Sequence, residues 1–138
     1  MAGFTFRYRL GGGAPTIRTL KAKDTETITK GDMVNLESGE LDLGAAGDTG
    51  LYGVALDTGA RVDSTTDITF ISDEDAVYAV ADANARVDGA PLDIAGTTGA
   101  QGVTTASGKE FVVVAPSSAT EETLVRINVG KHPANKAQ

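Results

Sequence analysis

Turn-forming residues interrupt this chain so often that its ordered structure has to be assembled from short pieces. Beyond residue 16, β-type runs follow one another, and each is soon stopped by Gly, Asp, Ser or Thr. A helix needs a longer stretch of unbroken 3.6-residue periodicity, whereas a strand needs only a few alternating residues. The strands expected on this basis are 17–22, 26–29, 33–36, 40–43, 52–57, 67–71, 77–81, 91–94, 101–104, 110–115 and 124–129. Glu37-Ser38-Gly39 and Thr97-Thr98-Gly99 read as hairpin turns, because glycine tolerates the positive φ that tight turns demand. With 17 Gly and 5% aromatic residues in 138, the core is modest and single. The fold class is therefore all-β: a small Gly-rich β-barrel or sandwich with an extended N-terminal arm and a short C-terminal tail. Residues 1–16 form the arm and its Gly linker, 17–130 the β-barrel domain and 131–138 the tail.

Two stretches admit a helical reading. Ala-rich sequence over 73–85 follows N-cap candidates at Ser72 and Asp73, but a strand at Val77-Tyr78-Ala79-Val80 is preferred. Thr120-Glu121-Glu122-Thr123 is expected to give one helical turn before the last strand.

The arm is defined by Phe4-Thr5-Phe6-Arg7-Tyr8-Arg9, which alternates aromatic and polar residues so that Phe4, Phe6 and Tyr8 share one face when extended. Three of the seven aromatics lie in these first eight residues. Gly11-Gly12-Gly13-Ala14-Pro15 then breaks any regular element. Two readings stand open. The arm is an edge strand folded back on its own domain, or it is an anchor that buries its aromatic face against a neighbouring subunit. In the second case three rings gain on the order of 10 kcal/mol gross per arm, before the entropy of ordering is subtracted.

Charge is segregated along the chain. The net charge is -7; residues 1–30 carry six cations against two acids, residues 31–125 carry 17 acids against Arg61, Arg86 and Lys109, and 126–138 carry three cations. An acidic body repels nucleic acid and anionic membranes, since phosphate binding needs a concentrated basic patch. The acids read as a solvated surface, and the basic ends as docking segments or ordinary tails. No stretch approaches the roughly 20 apolar residues of a membrane span, and no secretory signal opens the sequence, so synthesis in the cytoplasm is expected.

Chemistry is scarce. The chain has no Cys and one His, His132, beside Pro133 in a polar tail, which removes thiol chemistry and Cys/His zinc sites and leaves no imidazole placed for a triad. Asp73-Glu74-Asp75 lacks the spacing of a calcium loop and reads as a solvated acidic loop. A hydrolase using Asp73 and Asp75 would need a carboxylate separation that spacing cannot supply. Gly11-Gly12-Gly13 has no following Gly-Lys-Ser/Thr and is a linker, not a phosphate loop. Lys109, in an expected hairpin Ser107-Gly108-Lys109-Glu110, is placed like a lipoyl- or biotin-bearing lysine but lacks the flanking Asp or Met. It reads as an ordinary exposed turn lysine. No catalytic group, metal or cofactor is expected.

An internal echo organises the body. Lys30-Gly31-Asp32-Met33-Val34-Asn35-Leu36 matches Asp88-Gly89-Ala90-Pro91-Leu92-Asp93-Ile94 in its glycine and apolar positions, 58 residues apart. Gly53-Val54-Ala55-Leu56 and Phe111-Val112-Val113-Val114 fall at the same offset. The expectation is two related β-units packed as one body, because neither alone buries enough surface.

The succession of Lys30-Gly31-Asp32-Met33-Val34, Gly53-Val54-Ala55, Pro91-Leu92-Asp93-Ile94 and Gln101-Gly102-Val103-Thr104 resembles the small capsid decoration, or cement, proteins of tailed bacteriophages. The likeness runs over about 22–129. It implies a non-enzymatic protein of the virion, made in the host cytoplasm and bound to the outer capsid surface. There it stabilises the head against internal DNA pressure. It further implies the major capsid protein as partner and self-association as a homotrimer, with no direct nucleic acid or membrane contact. An arm often reaches onto the lattice in that family, which makes Phe4, Phe6, Arg7, Tyr8 and Arg9 the candidate capsid-interface residues. The alternative reading is a β-rich carbohydrate-binding or adhesion module of a phage tail or cell surface.

Overall fold

In the computed structural model the described residues are 3–60, 66–82, 84–105, 109–115 and 122–133. They contain β-strands and no α-helix: β1 Phe4–Arg9, β2 Ile17–Lys21, β3 Thr27–Ile28, β4 Met33–Glu37, β5 Glu40–Leu43, β6 Leu51–Val54, β7 Gly59–Ala60, β8 Asp67–Ile71, β9 Ala76–Ala81, β10 Pro91–Ala95, β11 Gly102–Thr105, β12 Phe111–Ala115 and β13 Glu122–Ile127. A 3-10 turn, Val129–Lys131, follows. The all-β expectation holds, as packed antiparallel sheets and not as a closed barrel.

Six strands form one sheet in the order β1-β9-β13-β12-β10-β11, and three form another in the order β5-β4-β6. β2 pairs β8, and an Ala55–Phe70 bridge joins β8 to the end of β6. The strand order β2-β8-β6-β4-β5 in the first half is thus the order β9-β13-β12-β10-β11 in the second. The echo in the sequence is a structural repeat, and the register of β4 on β6 is that of β10 on β12 residue by residue. Met33 faces Val54 and Val34 faces Gly53; 58 positions later Pro91 faces Val112 and Leu92 faces Phe111. The turn bonds repeat too. Asp32 donates its N–H to Thr29 and Ala90 to Val87, Gly31 to Ala55 and Gly89 to Val113, Ala55 to Asp32 and Val113 to Ala90. Gly31 and Gly89 both take positive φ, 95° and 79°, which explains why the motif keeps glycine there.

The two units share a core. β4 and β6 are buried on both faces, so adjacent residues point into different clusters. Val34, Tyr52 and Ala55 join Ile28, Leu41, Ile68 and Phe70 in the first unit's core. Met33, Leu51, Val54 and Ile71 turn the other way and pack with Tyr78, Leu92, Ile94, Phe111 and Val125 of the second.

Several boundaries and assignments differ from expectation. Residues 76–81 are strand throughout, as preferred over the helix, because Ala76 to Val80 are buried against both β13 and β1. Glu122 and Thr123 belong to β13 instead of a helical turn, since Glu122 pairs Ala81 and Thr123 pairs Val80; Thr120 and Glu121 lie outside the described residues. The last strand therefore sits at Glu122–Ile127, ahead of the expected 124–129. Also outside the described residues are Ser107 and Gly108 of the expected hairpin, Arg61, Asp63 and positions 134–138 of the tail.

Candidate functional site

The N-terminal segment is an edge strand folded back on its own domain, the first of the two readings the sequence left open. β1 pairs antiparallel with β9, Phe4 opposite Val80, Phe6 opposite Tyr78 and Arg9 opposite Ala76, with a bulge between Phe6 and Tyr8. Phe4 is 2% exposed and its ring lies 5.2 Å from that of Phe111. Phe6 is half-buried and edge-on to Tyr78 at 6.3 Å. Two of the three rings are consumed by the protein's own core. The bulge re-aims the strand, so Tyr8 is left 42% exposed.

The basic side chains of the strand are held as well. The Arg7 guanidinium donates to both carboxylate oxygens of Glu122 at 3.0 and 2.9 Å. Arg9 Nε donates to Asp75 Oδ1 at 3.0 Å, with Asp73 3.6 Å away. The glycine stretch after the strand is docked by the same acids: Gly11 N–H donates to Asp75 Oδ2 and Thr16 N–H to Asp73 Oδ2. Burial works against the Asp75 carboxylate, but Arg9 and the Gly11 N–H outweigh it and hold its pKa below the ordinary range. Asp73 and Asp75 therefore clamp β1 and the segment after it, and within the run only Glu74 is exposed.

Acids elsewhere do similar work, and this changes the meaning of the acidic body. Asp32, fully buried, accepts from Thr29 N–H, Gly99 N–H and the Thr98 hydroxyl at 2.6 to 2.9 Å. Glu110, also buried, accepts from Ile94 N–H and Gly47 N–H. Asp93 takes Lys109 N–H, Asp57 takes Thr69 N–H and Asp48 takes Ala45 N–H. Asp82 is bound by Arg86, Asn84 and Thr123; these overcome its burial and keep its pKa low. Carboxylates bonded to backbone amides stand in for hairpin bonds that loops cannot make. Among the described residues no group of three or more acids or His is arranged to hold a metal ion.

His132 is not in a polar tail. It is 1% exposed, with Nε2 2.9 Å from the Ser72 carbonyl and its ring edge-on to Tyr52 at 5.2 Å. Burial pushes its pKa below 6.5. Lys109 is exposed and takes a φ of 61°, and its N–H and carbonyl serve Asp93 and Asn128.

Beside β1 lies a groove that sequence reasoning missed. Phe4, Thr5, Phe6, Lys30, Gly31, Val54, Leu56 and Ile71 line it around about 380 Å3. Its lining comes from four separate stretches of chain, so no local pattern announces it. Among the five candidate interface residues, Phe4 and Phe6 line this groove and Arg7, Tyr8 and Arg9 do not.

No family model matches the chain, and no curated protein matches its sequence. A solved structure does share its fold: the crystal structure of the head fiber gp8.5 N base in bacteriophage phi29, with a TM-score of 0.51, 15% identity, and coverage of 84% of this chain and 98% of that chain.

Proposed function

We propose that this chain is a non-enzymatic capsid decoration protein that binds the outer surface of a phage head. Its partner is the major capsid protein, it assembles as a homotrimer in the virion, and it stabilises the shell against internal DNA pressure. It touches neither nucleic acid nor membrane. The observation that carries the proposal is the likeness in fold to the head fiber gp8.5 N base of bacteriophage phi29, which spans 98% of that chain. The use of acids supports it from a second direction. Asp32, Asp82 and Glu110 spend their acceptor capacity on internal donors, which suits a rigid building block better than a reactive cleft.

The test is reconstitution. Purified protein is added to mature shells that lack it, and occupancy and heat resistance of the shells are measured. Saturable binding with a rise in the temperature of shell disruption is the expected result. Shells that neither bind the protein nor gain heat resistance refute the proposal.

A further inference from the structure

We infer that the groove beside β1 is a receptor for an extended segment of the partner protein, one that carries an apolar side chain next to a carboxylate. This turns the earlier expectation around: the chain supplies the pocket, and the partner supplies the anchor. The partner's identity rests on the proposed function, but the chemistry of the groove does not.

Three observations meet at this place. The first is shape and polarity. About 380 Å3 walled by Phe4, Phe6, Val54, Leu56 and Ile71 sits at the small end of ligand sites, which run roughly 300–1,000 Å3. That suits one or two apolar side chains.

The second is charge. Arg7, Arg9, Lys21, Lys23 and Arg86 are each paired with a carboxylate. Lys30 is exposed and, like Arg18, Lys109, Arg126 and Lys131, makes no salt bridge among the described residues, but it alone of these lines the groove. An unneutralised cation over an apolar cleft selects an anion next to an apolar group.

The third is the sheet edge. β1 is the terminal strand of its sheet. Phe4 N–H is spent on the Gly31 carbonyl at 2.8 Å, which shows that this side of the strand faces away from β9. Antiparallel pairing alternates direction, so the N–H and C=O of Phe6 face the same way, towards the groove. They are a donor and an acceptor for an added strand, as in other sheet-edge recognition.

Two experiments test this. In the first, Leu56→Trp, which fills the groove, and Lys30→Glu, an exposed change that leaves the core untouched, are compared with the unmodified protein on mature shells. Loss of binding in Leu56→Trp and at least about a tenfold weakening in Lys30→Glu are expected, with the unfolding transition of Lys30→Glu unchanged. Undiminished binding by both variants overturns the groove and leaves the head-binding proposal standing.

In the second, a random short-peptide library is panned on the protein and counter-selected on Leu56→Trp. Enrichment of peptides with an apolar residue adjacent to Asp or Glu, released by Lys30→Glu, is expected whether or not shells bind. Peptides without that pair, or peptides indifferent to both changes, overturn the inference on their own.

Discussion

The two repeated units are the same design with different endings. Both fold in one strand order, with the same Gly turn and the same backbone bonds. They differ in three places. The first unit closes its hairpin over Ser38-Gly39 alone, since Glu37 faces Glu40 directly; the second inserts residues 96–101 between Ala95 and Gly102. That longer loop is the clasp between units: Thr98 and Gly99 hold Asp32, while Gln101 accepts from Met33 N–H and donates to the Gly44 carbonyl. Secondly, the first unit has Gly53 where the second has Phe111. Thirdly, the second unit's β9 carries the added strand β1, whereas β2 pairs only β8 along its length. Repetition accounts for the fold, and the departures from it account for how the halves join and where the groove beside β1 opens.

Making the units alike should do the most damage. A Cβ at Gly53 would lie 1.6 Å from the Ile71 carbonyl oxygen, a backbone atom that cannot step aside. Gly53→Phe, which copies the second unit, is expected to abolish cooperative unfolding, and Gly53→Ala to cost at least ~3 kcal/mol in chemical denaturation. A Gly53→Ala protein of undiminished stability would mean that β6 and β8 do not approach this closely.

Phe4→Ala comes next. It empties a buried site against Phe111 in the shared core, and a loss of about 3 kcal/mol is expected with the fold retained. A loss under about 0.5 kcal/mol would say that Phe4 is not part of the core.

Asp32→Ala cuts the clasp. It strands Thr29 N–H and Gly99 N–H, at a cost of about 2 kcal/mol by denaturant titration. Shortening 96–101 to a tight turn like Ser38-Gly39 should cost at least as much, by removing the same contacts from the other side.

The smallest effect is expected at His132. Its pKa is lowered on folding, so the unfolded chain takes up a proton first as pH falls below 6.5. Its contribution is complete above that pH and is lost as pH drops through the folded value. Stability measured from pH 7 to pH 5 should decline, and His132→Gln should flatten that decline. An unchanged slope in the variant would place the titration elsewhere.

How much of this was legible in the sequence follows from locality. Phe4–Arg9, Glu40–Leu43 and Asp67–Ile71 are strands at their expected bounds because alternation and flanking turn residues define each locally. The repeat was legible because its turn bonds and register keep one spacing. Gly59–Ala60 was missed: two residues carry no periodicity, and the strand exists only by pairing with Thr27–Ile28. His132 looked like a tail residue because its neighbours in sequence are polar, while what buries it is Tyr52 and Ser72. The acids were misjudged for a related reason, since composition records their charge and not the amides they accept. The groove at Lys30 and Leu56 was invisible because it needs β1 folded onto the body before it has a wall.

The most direct test of this account is hydrogen exchange across β1 in the free protein. Thr5 and Tyr8 are paired with Ala79 and Val77 along the edge of the six-stranded sheet. Their amides should exchange as slowly as those of β9 and β13, through opening of the whole domain. Exchange at those amides near the rate of an unstructured peptide, with β9 and β13 still protected, would contradict it: the segment would then be a loose arm, and the groove would have no wall.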